Sequence, residues 1–166
     1  MTNFSNNFGA DSQLKLDQKE IDDNYIKYSI AVLEKRLTQQ TITTLSTPDI
    51  VSKYLVLQLA QLEHELFGCL FLDIENRLII NLPMFRGSLA HGSVYPREVI
   101  KEALKYNASA VIFYHNHPSG SIEPSQADHT ITKKLKAVCE LVDVRVLDHI
   151  IVAGVETYSF AHHGTL

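Results

Sequence analysis

The chain has no tryptophan and only two cysteines among its 166 residues. Cys69 and Cys139 stand far apart, so neither the short spacing of a zinc knuckle nor that of a redox pair is present. Core packing is the reading for both. No apolar run is long enough to span a bilayer, and the first residues carry no apolar segment of the signal-peptide kind. These two gaps lead to the expectation of a cytoplasmic protein with no membrane partner. No Lys/Arg run appears, and the formal net charge is −4. General affinity for nucleic acid leaves a basic footprint, so this balance argues against it. No internal repeat is visible.

What is there describes an ordinary globular chain, with 45% hydrophobic and 20% charged residues. Its length suits one domain with a buried core. Residues 1–20 are polar and are expected to be mobile. A helix is expected from Asp22 or Asp23, with Ile26, Ile30, Leu33 and Leu37 on one face. The Thr-rich segment from Gln39 to Ser46 reads as a connector. Thr47-Pro48 has the cap-then-proline signature of a new helix, reaching to about Leu62 and offering Val51, Tyr54, Leu55, Leu59 and Leu62 to a core. Residues 1–45 are thus read as an extension, and 46–166 as the domain proper.

Within that domain, Glu65 to Asp73 is nearly all apolar, as in a strand buried on both faces. A turn over Asp73 to Arg77 leads into Leu78 to Asn81, so a hairpin is expected, with a third strand over Phe85 to Leu89. Pro96 opens a helix to about Tyr106. Ala110 to Tyr114 reads as a buried strand. Ile131, Leu135, Val138 and Val142 mark one face of a helix ending near Asp143. Val144 to Ala153 and Thr157 to Phe160 return as strands around a turn at Gly154. Hairpins mixed with strands that follow helices indicate an α/β fold, a mixed β-sheet flanked by helices.

The chemistry concentrates in His115-Asn-His-Pro-Ser-Gly-Ser-Ile-Glu-Pro-Ser-Gln-Ala-Asp128, between that buried strand and that helix. Side chains two apart on a strand share a face, so His115 and His117 can point the same way. Pro118 and Gly120 turn the chain, and Ser125 can cap the helix whose first turn carries Asp128. Two imidazoles and a carboxylate can then converge, the donor set of a three-ligand zinc site with a fourth position left for water. Alone, a His-x-His is usually two loop histidines, and Ser125-x-x-Asp128 can be no more than a capping box. The capping and metal roles are compatible, because a helix N-terminus keeps a first-turn carboxylate ionised.

His-x-His, seven residues, then Ser-x-x-Asp resembles the JAMM motif of the MPN/JAB metalloprotease superfamily. Leu82-Pro-Met-Phe-Arg-Gly-Ser-Leu89, Val94-Tyr-Pro-Arg-Glu-Val99, His115-Asn-His-Pro-Ser-Gly120 and Leu147-Asp-His-Ile-Ile-Val152 resemble its RadC-like branch. The resemblance covers about Pro48 to Leu166. It implies an MPN/JAB fold with layering like that of the cytidine deaminases, a bound Zn2+ and hydrolysis of a peptide or isopeptide bond in a protein or peptide substrate. It implies His115, His117 and Asp128 as metal ligands. An upstream glutamate followed shortly by Gly belongs to the same pattern, and Glu65 with Gly68 fits it, with Glu63 as the competing residue. That glutamate would act as general base and then acid. Ser125 would donate to the oxyanion, its alternative being the helix cap alone.

Of Asp148-His149, alternation lets only one side chain face the site and orient a ligand, and a satisfied core histidine is an equal reading. His129 neighbours Asp128 on a helix and so faces elsewhere. His64, His91, His162 and His163 read as surface or tail residues. RadC-like proteins typically carry a helix-hairpin-helix region, associated with DNA binding, ahead of this domain. No such hairpin is expected in the 45 residues here, which weakens a nucleic-acid role. A non-catalytic MPN-type binding module is a further alternative, set against all five motif positions being present. A zinc nucleobase deaminase would need His-x-Glu and Pro-Cys-x-x-Cys, and neither occurs.

Overall fold

The computed structural model describes residues 9–40, 47–87 and 94–166. Over these, the chain forms α1 (Gly9–Gln39), α2 (Thr47–Leu59), β1 (Leu66–Leu72), β2 (Leu78–Arg86), α3 (Pro96–Lys105), β3 (Ala110–Asn116), α4 (Gln126–Glu140), β4 (Arg145–Ala153) and β5 (Glu156–Ser159). The five strands make one sheet in the order β2-β1-β3-β4-β5. Every neighbouring pair is antiparallel except β3 and β4. That exception follows from α4, since parallel neighbours need a crossover and a helix supplies one. The fold is α/β with a mixed sheet flanked by helices. Among the described residues, no helix is long and apolar enough to cross a membrane.

Strand alternation explains the layers. Leu70 and Leu72 of β1, with Ile112 and Tyr114 of β3, join Val51, Tyr54, Leu55 and Leu59 of α2 and Leu37 of α1 in one buried cluster. Phe67, Cys69 and Phe71, with Val111 and Phe113, join Val99 and Ala103 of α3 and Leu135 and Cys139 of α4 in the other. All of β3 is buried, as a central strand covered on both faces requires. Cys69 and Cys139 are free thiols inside the second cluster, as expected of packing residues.

Three elements differ from the sequence reading. Helix α1 begins at Gly9, well before the expected Asp22 or Asp23, so residues 9–20 of the stretch read as mobile are helical. That stretch is polar but made largely of Gln, Lys, Leu and Glu, which lose little on entering a helix. Polarity there does not mean a lack of helix. Phe85 does not open a third strand, because β2 runs unbroken to Arg86. Pro83 is accommodated because β2 is the sheet's edge, where a missing N–H costs little. Leu89, the connector over 41–46 and His91 lie outside the described residues. Helix α2 stops at Leu59, earlier than the expected Leu62.

Gly68 is where sheet and polar core meet. A Cβ on it would collide with the ring of Tyr114. That ring is held by its hydroxyl, which donates to Asn81 Oδ1 at 2.6 Å, while Asn81 Nδ2 donates to Gln58 Oε1 at 2.8 Å and Tyr54 at 3.1 Å. With Tyr114 fixed on both sides, Gly68→Ala should destabilise the chain by about 1–3 kcal/mol. Urea unfolding followed by circular dichroism measures this. An unchanged midpoint would show that the ring moves aside freely.

Candidate metal centre

Strand β3 carries His115 to the face that α4 covers, beside Phe113, and leaves it fully buried. His117 follows past the strand end, and its N–H still bonds to Val152 O of β4 at 2.8 Å. Gly120 then turns the chain with a φ of +80°, a conformation that favours glycine. Ser125 caps α4, its Oγ accepting from Asp128 N at 3.2 Å while Asp128 Oδ2 accepts from Ser125 N at 2.6 Å. This reciprocal box fixes the Asp128 rotamer and turns its carboxylate back toward the histidines.

The three side chains meet there. His115 Nε2 lies 3.0 Å from His117 Nε2 and 3.2 Å from Asp128 Oδ1, and His117 Nε2 lies 3.5 Å from Asp128 Oδ2. Ligand atoms about 2.0–2.2 Å from a tetrahedral zinc stand about 3.3–3.6 Å from one another. The triangle is therefore close to the size the ion needs. Among the described residues, His115, His117 and Asp128 form the one group of this kind that could hold a metal.

The hydrogen bonds around the triangle say where the protons are. His117 Nδ1 sits 2.7 Å from Ser121 O, a carbonyl that can only accept, so Nδ1 carries the proton. The neutral ring then has a bare lone pair on Nε2. His115 is set by a longer chain. The Thr132 hydroxyl donates to Asp128 O at 2.5 Å, so at its other contact, 2.6 Å from His149 Nδ1, it accepts. His149 is thus protonated on Nδ1 and accepts on Nε2, which lies 2.9 Å from His115 Nδ1. His115 donates there and leaves its own Nε2 bare. Burial lowers the pKa of both His115 and His149 and keeps these rings neutral. With all three rings neutral, two bare nitrogens and a carboxylate thus face one another, an arrangement suited to a cation.

Charge follows the same logic. Burial acts to raise the Asp128 pKa, but the adjoining His115 and His117 rings, either of which can take up a proton beside it, and the Ser125 hydroxyl outweigh it and hold the carboxyl well below its ordinary range. Asp128 in turn raises the pKa of His117, against the desolvation of that ring.

Glu65 stands directly before β1, half-buried, and its charge acts on both His115 and His117. Glu63 is exposed and lines a cavity of about 440 Å³ that also touches Leu59, Asn116, His117, Pro118 and Val152. Ser125 Oγ lies 2.7 Å from Asp128 Oδ2 and donates to it, so in this structure its hydroxyl serves the carboxylate.

Of the Asp148-His149 pair, His149 faces the site. Asp148 instead accepts from Ser159 Oγ at 2.6 Å and Ala161 N at 2.9 Å, which holds the turn after β5 in place. Phe160 from that turn stacks on the His149 ring at 5.0 Å. His129 packs edge-on against Phe160, away from the triangle, and His163 stacks on Tyr158. Thr132 and Asn116 were not singled out by sequence reasoning. Thr132 stands four residues after Asp128, on the same helix face, and Asn116 is an amide inside an apolar strand; these were the available signals.

An α/β sheet with a His-x-His at the end of its central strand and an aspartate in the next helix's first turn defines a JAB-type domain. The family description "RadC-like JAB domain" matches residues 45–165. A UPF0758 protein of Janthinobacterium sp. (strain Marseille) is 53% identical over 143 residues, 82% of this chain and 63% of that protein. One from Herminiimonas arsenicoxydans is 54% identical over 76% of this chain and 57% of its own length. One from Vibrio cholerae is 48% identical over 91% of this chain and 94% of its own length. The chain belongs to the family of RadC-like JAB domains, and it spans less than two thirds of the first two of these relatives. Their names state no activity.

Two measurements address the metal. His117→Ala should keep the fold and lose stoichiometric zinc, read by elemental analysis beside circular dichroism. Full zinc content in that variant would remove His117 from the donor set. Thr132→Val keeps shape but leaves His149 Nδ1 without its acceptor. Zinc affinity, measured by competition with a chelating dye, should fall, by less than the roughly 10–100-fold cost of losing a ligand histidine's direct partner, because Thr132 acts on His115 through His149.

Proposed function

We propose that this domain is a zinc-dependent hydrolase of the JAMM type, cleaving a peptide or isopeptide bond in a protein or peptide substrate. The observation that carries the reading is the triangle of two bare imidazole nitrogens and a carboxylate, beside a separate glutamate whose charge reaches both rings. His115, His117 and Asp128 would hold the ion, which when bound supplies a positive centre that acidifies water and polarises a carbonyl. Three protein ligands, not four, are the count of a catalytic site.

The rest of the work falls to the chain's own side chains. The carboxylate of Glu65 takes the proton of the attacking water and hands it to the departing amine, which would otherwise leave as a strongly basic anion. The outer bonds of His115 and His117 keep both rings aimed and in one tautomer throughout. Ser125 holds Asp128 through the capping box. To serve the oxyanion as well, its hydroxyl must turn from Asp128 Oδ2 toward the substrate. The cavity under His117, walled by Leu59, Leu62, Pro118 and Val152, offers an extended chain a place beside the triangle.

The test compares Glu65→Gln with Glu63→Gln. Substrates come first, from mass spectrometry of lysate proteins treated with the wild type or with His117→Ala. On a cleaved sequence so found, Glu65→Gln should cost about 10²–10⁴-fold in turnover, with zinc content and thermal stability nearly unchanged. Glu63→Gln should cost little. The reverse result would show that the proton shuttle has been assigned to the wrong glutamate. Full activity in both would remove this mechanism.

A further inference from the structure

We infer that Asn116, between the two histidines, is the positioning residue that holds Glu65 at the metal-facing end of β3. This rests on the role proposed above for Glu65, and it concerns how that role is built into the fold.

Strand alternation sends His115 toward α4 and Asn116 the other way, toward the segment joining α2 to β1. There Asn116 is 3% exposed. Its Oδ1 accepts from Leu66 N at 2.8 Å, and its Nδ2 donates to His64 O at 3.0 Å. Leu62 O lies at the edge of reach, 3.5 Å from the same nitrogen. One amide therefore grips the carbonyl of the residue before Glu65 and the N–H of the residue after it. The main chain of Glu65 itself is held from the other side, where its carbonyl accepts from Gly87 N at 2.9 Å.

The grip sits where the sheet stops helping. Main-chain pairing between β1 and β3 ends at Phe67 opposite His115. One step further, Leu66 would face Asn116, and a side-chain amide takes over from the ladder. Only a group with donor and acceptor in one plane can do this: Asp offers acceptors alone, and a serine hydroxyl is too short to span both. The length of the link matters too. From His115 and His117 to Glu65 there are two covalent steps along β3 and one pair of hydrogen bonds, so the ligands and the carboxylate move as one body. A shift of about 1 Å in a reacting group can cost about 10²-fold in rate, so such a link is worth having.

A purely structural role for Asn116 would loosen the segment without touching the chemistry, and the test separates the two. Cobalt replaces zinc, and the pH dependence of the visible spectrum of the cobalt-loaded chain is recorded for wild type, Glu65→Gln, Asn116→Ala and the double variant. Hydrogen exchange at Leu66 is followed in the same proteins. Asn116→Ala should still bind cobalt and should speed Leu66 exchange about fivefold to tenfold, the factor for one lost hydrogen bond. Its spectral transition should shift in the same direction as in Glu65→Gln, and the double variant should shift no further than Glu65→Gln alone. If Asn116→Ala does not fold, Asn116→Ser, whose hydroxyl is too short to span both partners and adds no charge, carries the same comparison.

A shift in Glu65→Gln with none in the Asn116 variant, or shifts that add, would overturn the inference and leave the role of Glu65 standing. Loss of cobalt from a folded Asn116 variant would show that it supports the ligands instead, and also overturns it. No shift in Glu65→Gln would remove the role of Glu65, and the inference with it.

Discussion

Two main-chain carbonyls decide the chemistry of this site. Ser121 O and Asp128 O can only accept hydrogen bonds, and each passes that constraint to a histidine, directly to His117 and through Thr132 and His149 to His115. The outcome is a lone pair on each Nε2, aimed at the same point as the Asp128 carboxylate. Neither carbonyl lies in the sheet. One belongs to the loop after β3, the other to the first turn of α4. The fold's task is to bring Ser121 O within hydrogen-bond reach of His117, and Asp128 O within reach of the Thr132 hydroxyl that sets His149.

That task explains much of the architecture. Because β3 and β4 are parallel, α4 must cross between them, and its N-terminus arrives where β3 ends. The capping box then settles the orientation of Asp128 locally, with no help from the core. The core supplies the dryness. His115 and His149 are buried among Phe67, Phe113 and Phe160, and in that setting a neutral imidazole with one defined proton is favoured over an imidazolium. A wetter site would allow the rings to flip and protonate, and the three acceptors would no longer be fixed together.

Most of this was legible in the sequence, because it rests on local rules. His115 and His117 two apart on a strand, Ser125 three before Asp128, and apolar residues spaced along one face of α4 each report a short-range geometry. Strand and helix order followed in the same way, and so did burial of β1 on both faces. The failures were also local readings, taken too literally. Polar residues in 9–20 were equated with mobility, though they are good helix formers. Leu78 to Asn81 and Phe85 to Leu89 were read as two strands, although Leu78–Arg86 is one edge strand that tolerates Pro83. What no local rule could reach were the links of long sequence separation: Thr132 to His149, and Asn116 to residues some fifty positions earlier. Such partners are set by sheet order, which a single sequence does not display.

The same sheet order gives the site its division of labour. The end of β3 has two faces, and each alternate residue serves one of them. On the α4 face, His115 joins a dry network whose every proton is assigned, suited to holding an ion in one geometry. On the α2 face, Asn116 holds the segment that carries Glu65, beside the open cavity that Glu63 and His117 also line. A proton shuttle needs both: water to draw a proton from, and a positive centre close enough to favour its release. Glu65 is half-buried and within electrostatic reach of both imidazoles, as the role proposed for it asks, whereas Glu63 two residues earlier is exposed.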